Sequence, residues 1–532
     1  MSSEINRRVS PVTTLPGEEP TFPSSIGFAT PRNTNRIAAT LIAAGAVLRI
    51  FSYFCSDNSG GDAWARIALT ANWLKHPRFQ VIFEDYPPGH FWLIGLYNLL
   101  VHNVTIAGRS LSLILGILSL YAFWKLAQYL YGDDAALLSL TAFSFYSLHI
   151  GYSSTSSAEA TYLFFVLAGL AFFFGAMREG ASRVLLLAFA GLSLSAAETM
   201  RLEAWIICFG LGVGLLVLLW KSNREPFESR TNISSIIVFG ITGGGAPAFL
   251  MLYCWRMFGD PMRLMTLHNV NVIEYLRDQH VSLAHQLMVT PLALLLALSP
   301  LVLIGAVYGW FKSLRSWSTA IFAVLVLFFT LIQQWEVIRG RLLAMPRYSL
   351  TTGAMLAIIS GYGVLQLLAT FSRQRQRVFL GIVVASIVLN TFFVLAASEI
   401  PNPVTDKFAS ISPRLRYATR ISQVGNYLKT QMQANDAVII DNYNDEPNII
   451  AAAAGFPVLA GDRVYFERAG DPLTPPEYVA LKHPRFLIFS DRGTIHKWLP
   501  LPPDRGEADI FGAHYRCVFS NDTYRIYEIR YP

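Results

Sequence analysis

Long, nearly uncharged apolar runs recur through the first four hundred residues, and no other feature of the sequence limits the fold as tightly. IAATLIAAGAVLRIFSYFC from Ile37, SLSLILGILSLYAFWKLAQYL from Ser110 and the stretch around PLALLLALSP, ending at Pro300, are examples. Such runs approach the ~20 residues that a helix needs to cross ~30 Å of hydrocarbon. Lipid offers backbone amides no partner, so the runs must close their own hydrogen bonds as helices. Across the 532 residues, 53% are hydrophobic and 14% charged, a balance too apolar for a soluble chain of this length.

Residues 1–36 are polar, rich in Pro, Ser and Thr, and carry Arg7, Arg8, Arg32 and Arg36. Without an apolar core followed by a small-residue cleavage site, they read as a disordered cytoplasmic tail and not as a cleaved signal peptide. Cys55, Cys208, Cys254 and Cys517 are scattered singly, with no metal-binding spacing. The net charge of +7 is dispersed among short turns, which points to helix orientation and away from a nucleic-acid partner.

Four of those turns are basic: Arg178 with Arg183, Lys221 with Arg224 and Arg230, Lys312 with Arg315, and the Arg373, Arg375, Arg377 group. They belong on the cytoplasmic side with the amino terminus, and the turns alternating with them, Tyr152 to Glu159 and Glu198 to Glu203, belong outside. PPGHFWLIGLYNLLVHN, from Pro87, fits either a short span or a surface helix, and only the second keeps the basic turns inside. Residues 56–108 therefore read as one external loop with interfacial helices. Spans are expected near 110–130, 134–151, 160–177, 183–198, 203–220, 234–257, 288–310, 318–335, 348–370 and 378–397, making about eleven transmembrane helices with the first.

From about Pro401 the composition is that of a soluble α/β domain. It has a polar helix candidate (PRLRYATRISQVGNYLKTQM), short β-rich runs (DAVIID, RVYF, RFLIFS) and paired strands around an Asn-Asp turn in YRCVFSNDTYRIYEI. The expected class is an α-helical polytopic membrane protein with this C-terminal domain. Its units are a tail at 1–36, a membrane domain at 37–397 and an extracytoplasmic domain at 398–532. A bacterial inner membrane is the expected location.

Some charges break the orientation rule. WEVIRGRLLAMPRYSL puts Arg339, Arg341 and Arg347 at the external end of one span and the start of the next. They either contact headgroups and local acids such as Glu336, or form an anion site suited to phosphate. Asp62 follows Gly60 and Gly61 and fits an N-cap, worth ~1 kcal/mol, as well as it fits a catalytic carboxylate. Glu84, Asp85, Glu159, Glu198, Arg201 and Glu203 fall on the same face, and so many ionisable groups at one membrane surface point to function. GDPMRLMTLHNVNVIEYLRDQHVSLAHQL reads as a surface helix with His268, Glu274, His280 and His285. Its spacing matches no strong zinc motif, leaving His268 as the candidate ligand of a divalent metal, the one cofactor considered.

The arrangement resembles the GT-C class of glycosyltransferases over about residues 37–397. It is most similar to the branch holding the protein O-mannosyltransferases and the lipid A aminoarabinose transferases, whose first external loop begins with an Asp and ends in Pro-Pro. Here these look like Asp62 and Pro87-Pro88, with Arg109 opening the next span. Glu159 resembles the second acid, Arg201 the basic residue after the fifth span, and Arg347 with Tyr348 the late Arg-Tyr element. Where the aminoarabinose subgroup has Glu-Lys before Pro-Pro this chain has Asp85-Tyr86, and its second acid is Glu, so the sugar does not carry over.

The resemblance implies inverting transfer of a sugar from a polyprenyl-phosphate-linked donor to an extracytoplasmic lipid, glycan or protein, with Asp62 and Glu159 catalytic. Asp85, Arg201, Arg341, Arg347 and Tyr348 are the substrate-binding candidates. The chemistry is consistent: arginines would stabilise the lipid phosphate as it leaves, and a carboxylate would take the acceptor's proton. Two other classes are considered, a transporter or flippase for an anionic lipid-linked substrate and a non-catalytic assembly protein. A transporter should show repeated halves and ionisable groups at mid-membrane. No repeat is evident, and Arg49 and Lys125 lie toward helix ends.

Overall fold

The computed structural model describes residues 31–55, 61–83, 86–178, 183–222, 229–278, 282–342, 345–397, 419–433, 436–441, 464–465, 473–490, 493, 495–501, 506–521 and 524–532. The membrane part opens with α1 (Pro31–Cys55), α2 (Gly61–Lys75), α3 (Gly89–Val101), α4 (Val104–Tyr131), α5 (Asp133–Ser144), α6 (Ser147–Tyr152), α7 (Ala158–Arg178) and α8 (Arg183–Glu198). It continues with α9 (Glu203–Ser222), α10 (Ser229–Phe258), α11 (Arg263–Asp278), α12 (Leu283–Leu298), α13 (Pro300–Ser313) and α14 (Trp317–Ile338). A 3-10 turn, Pro346–Tyr348, then leads into α15 (Ser349–Leu368), and α16 (Arg373–Ala397) closes the bundle.

Seven of the described helices are long and apolar enough to cross a membrane, or eight if α12 and α13 count as one. The expected count of eleven is therefore not reached by this measure, although each expected span has helical counterparts. Two expected spans differ in kind. Residues 288–310 form not one helix but α12 and α13, which meet at 108° around Ser299, where a Pro follows a residue at φ 73°. Residues 134–151 form α5 and α6, broken at Phe145 and Tyr146. At the amino end, α1 begins at Pro31, so residues 31–36 of the expected disordered tail are helical; a proline suits a first helical turn, whose N–H groups lack intrahelical partners anyway. Residues 1–30 lie outside the described residues.

A break in a spanning helix frees carbonyls that lipid cannot satisfy, and the chain supplies donors for them. The buried Arg49 of α1 donates to the carbonyls of Phe143 (3.3 Å) and Ser144 (3.2 Å) and to Nδ1 of His149. From α16, Thr391 donates to the Phe145 carbonyl at 2.5 Å and Asn390 to the Leu296 carbonyl at 2.7 Å. The buried charge at Arg49 thus serves the fold. Elsewhere glycine brings helices close: a Cβ on Gly363 or Gly309 would strike the opposing backbone, so α13 and α15 pack main chain to main chain.

The C-terminal unit holds α17 (Thr419–Gln431), β1 (Val438–Ile440), β2 (Val464–Tyr465), α18 (Pro475–Lys482), β3 (Phe486–Ser490), β4 (Glu507–Ile510), β5 (Ala513–Ser520) and β6 (Tyr524–Arg530). The sheet order is β2-β1-β3-β6-β5-β4, with β1 parallel to β2 and β3 and the remaining pairs antiparallel. Strand alternation sends Val438, Ile440, Phe486, Ile488 and Ile526 against Val424 and Leu428 of α17. Ile439, Leu487, Phe489 and Tyr527 pack on the other face with Tyr478 and Val479 of α18. Trp64 of α2 joins the α17 side, which seats this domain over the helix that carries Asp62.

Candidate functional site

The site lies at that same end of the bundle. Asp62 is the second residue of α2, where a carboxylate suits the positive end of a helix. Its partners are side chains from distant segments: Tyr86 donates to Oδ1 at 3.0 Å, and the Arg347 guanidinium pairs with Oδ2. Burial pushes the Asp62 pKa up, but the nearby charges of Arg347 and Arg66 and the Tyr86 hydrogen bond outweigh it, and the carboxyl is held below its ordinary range.

Tyr86 is delivered by a short hairpin in which Phe83 and Tyr86 exchange backbone hydrogen bonds of 3.1 and 2.9 Å. The stack of Phe83 on Phe91, with centroids 4.3 Å apart, fixes the hairpin to α3. Pro87-Pro88 then leads into Gly89, whose N–H donates at 2.7 Å to the carbonyl of Thr199 in the turn that holds Arg201. A Cβ at Gly89 would collide with Thr199, so glycine permits this docking. Asp85 lies outside the described residues.

Arg201, between α8 and α9, is clamped by two acids. It reaches Glu159 Oε1 at 2.5 Å and Glu203 Oε1 at 2.6 Å. Glu159 comes from the first turn of α7, after a loop whose Ser156 hydroxyl donates to the Ala63 carbonyl of α2 at 2.8 Å. Arg201 and Arg347 both lie against the ring of Tyr348, each 5.1 Å from its centroid. Glu159, Tyr162, Arg201, Glu203, Gln333, Arg347, Tyr348, Leu350 and Thr351 enclose one small cavity.

Five of the candidates read from the sequence, Asp62, Glu159, Arg201, Arg347 and Tyr348, thus come together. Arg341 does not line the cavity; it sits in the turn after α14, its N–H bonded to the Glu336 carbonyl. His268, half-buried on α11, is within electrostatic reach of Glu203. No group of three His, Cys, Asp or Glu able to hold a metal forms among the described residues, and no step below runs through a metal.

Several residues here escaped the sequence reading. Arg66 lies one helical turn after Asp62, buried, with its guanidinium 4.5 Å from the Tyr86 ring centroid and with Nε and Nη1 lacking hydrogen bonds among the described residues. The i, i+4 spacing to Asp62 was its one available signal. His90 of α3 is fully buried, and burial and the charge of Arg66 hold its pKa well below the ordinary range. Gln333 of α14 donates to the Tyr348 carbonyl at 3.2 Å and accepts from Thr352 at 3.1 Å.

Residues 85–242, under a third of the chain, match the family model described as dolichyl-phosphate-mannose-protein mannosyltransferase. No curated protein matches the sequence. Among solved structures, the chain is similar to ArnT from Cupriavidus metallidurans bound to undecaprenyl phosphate, at 11% identity and a TM-score of 0.58, over 92% of this chain and 97% of that one. It is also similar to the oligosaccharyltransferase of Archaeoglobus fulgidus in complex with Zn and sulfate, at 11% identity and a TM-score of 0.55, over 85% of this chain and 68% of that one. The archaeal enzyme in complex with an inhibitory peptide and a dolichol-phosphate gives 10% identity and a TM-score of 0.52, over 86% and 69%. The fold is the GT-C one that the sequence resembled.

Proposed function

We propose that this chain is a membrane glycosyltransferase that moves a sugar from a polyprenyl-phosphate-linked donor to a hydroxyl of an extracytoplasmic acceptor, with inversion. The observation that carries the reading is the Asp62–Arg347 ion pair, set beside the clamped Arg201 in a cavity built from well-separated segments. A general base and a phosphate-binding guanidinium stand in contact. The family match and the lipid phosphates bound in two of the similar structures support the donor class. The basic turns Arg178–Arg183, Lys312–Arg315 and Arg373–Arg377 lie at the opposite ends of helices whose other ends reach the site, which supports an extracytoplasmic placement.

In the proposed reaction the acceptor oxygen attacks the anomeric carbon while the bond from that carbon to the lipid phosphate oxygen breaks. The bonding pair leaves with the phosphate, and the acceptor's proton passes to Asp62. Arg347 would stabilise the negative charge on the departing phosphate, a contribution commonly worth a few kcal/mol. In the resting site Arg347 pairs with Asp62 instead, which makes the carboxylate a weak base. A donor phosphate would compete for the guanidinium and release Asp62 toward the acceptor. Nothing in the site favours the transporter reading over this one.

The test belongs at Arg347. Removing Arg201 would strand the buried Glu159 and the half-buried Glu203 at a cost of roughly 3–5 kcal/mol and confound binding with folding. Purified protein should bind undecaprenyl phosphate well above undecaprenol. Arg347→Ala should lose about tenfold or more of that affinity, and Arg347→Lys should recover only part, because the planar fork is gone. Equal affinity of wild type and Arg347→Ala for the phosphate would remove Arg347 from donor binding.

A further inference from the structure

One buried cation stands outside the ion pairs of the site. Arg66 lies on α2, four residues after Asp62, with 5% of its surface exposed, and its Nε and Nη1 make no hydrogen bond among the described residues. The guanidinium rests against two aromatic faces, 4.5 Å from the Tyr86 ring centroid and 5.3 Å from that of Phe91. Such faces attract a cation, but they leave N–H groups in the guanidinium plane without acceptors, and burying those unmet is costly. The pairing that the sequence favours is Asp62 with Arg66. Residues four apart on a helix have Cβ atoms about 5–6 Å apart, and acid before base is the better order. That pair is not made at rest, because Tyr86 holds Asp62 Oδ1 and Arg347 holds Oδ2.

We infer that Arg66 is a positioning residue that takes over the Asp62 carboxylate when a lipid phosphate draws Arg347 away. This rests on the transferase reading and adds to it how the base is held in the donor complex. At rest three carboxylates, Asp62, Glu159 and Glu203, are matched with Arg201 and Arg347. A phosphate on Arg347 would leave Asp62 without a cation. A carboxylate stranded in a largely buried site takes up a proton, which disables it as a base. Arg66 supplies the third guanidinium. It shares α2 with Asp62, so rotation of its side chain can join the two without any movement of the backbone. Tyr86, bonded to Oδ1, keeps the carboxylate in place while Oδ2 changes partner. N–H groups of Arg66 that are unmet at rest are met in the bound state by charge-assisted hydrogen bonds, which favours the exchange.

The test measures the affinity of the full chain for undecaprenyl phosphate from mildly acidic to mildly alkaline pH. At the alkaline end Arg66→Gln should bind about tenfold or more weakly than wild type, because the bound state then strands a carboxylate. Protonation of the stranded Asp62 relieves this, so the loss should shrink as the pH falls, a slope beyond the one wild type shows. Arg66→Lys, which keeps a cation at the same spacing, should recover part of the loss. The other ionisable groups around the pair are Tyr86, Arg347, Tyr348, Tyr152 of α6 and His90 of α3. Asp62→Asn keeps all of these and removes the carboxylate alone, and in that background Arg66→Gln should have far less effect and add no pH dependence. Losses of equal size with and without the carboxylate would overturn the inference, because Arg66 would then serve the phosphate or the fold. So would unchanged affinity in Arg66→Gln, or a loss that does not vary with pH. A wild type that does not bind undecaprenyl phosphate would overturn the transferase reading itself, and this inference with it.

Discussion

Asp62 and Arg347 stand 285 positions apart in the chain and share one ion pair, so each determines what the other can do chemically. The Tyr86 hydroxyl is the adjustable third member, since it can be removed without deleting a charge. Hydrogen bonding to the ionised carboxylate lowers its pKa, and losing that bond must raise it. Tyr86→Phe should therefore shift the low-pH limb of activity toward higher pH, with Arg347 still in place. An unmoved limb in a pH–rate profile would mean that Asp62 is not the group whose ionisation that limb reports. At this scale the sequence showed which residue types gather at one membrane face, because arginines and acids at the ends of apolar runs stand out. It could not show their pairing. Nor could it show which of three arginines in one loop faces the cavity: Arg347 does, Arg341 does not, and only the turn at Pro346–Tyr348 decides that. Gln333 left no signal, since nothing in the sequence separates it from the adjacent Gln334 or gives it a partner until the helices pack.

Helices were legible wherever an apolar run was uninterrupted, and their breaks were not. Pro300 hinted at the bend between α12 and α13, but a proline also tolerates a first helical turn without any bend. The break between α5 and α6 carries neither proline nor glycine at Phe145–Tyr146. Its cause is tertiary: Arg49 and Thr391 capture carbonyls that a continuous helix would have used itself. Those captures should be separable by mutation. Thr391→Val and Asn390→Leu should each lower stability by about 1–3 kcal/mol, the cost of leaving a buried carbonyl unmet, measured by thermal unfolding in detergent. Unchanged melting in both would show that other groups satisfy these carbonyls. The same breaks explain two of the four spans missing from eleven, because 134–151 and 288–310 have the composition of one span each and the geometry of two short helices; the other two fall at α8, of 16 residues, and at α9, whose apolar stretch is Glu203–Leu218.

The whole molecule places a mixed-sheet domain over the end of a GT-C bundle, with Trp64 packed into that domain two residues from Asp62. The strand runs and the paired strands around Asn521 were readable from alternation, whereas β4 was missed because EADI offers only a short, half-exposed pattern. Convergence of the segment from α2 to α3, the turn between α8 and α9, and the segment before α15 was invisible locally, because it depends on how helices far apart in sequence cross. The proposed transferase function rests on that convergence, and the product is its direct readout. Mass spectrometry of envelope glycans should compare cells lacking the gene with cells complemented by wild type and by Asp62→Asn, the variant protein being checked for equal abundance in the membrane. The expected result is loss of one sugar modification without the gene, restored by wild type and not by Asp62→Asn. An envelope unchanged by the deletion, or fully restored by Asp62→Asn, would contradict it.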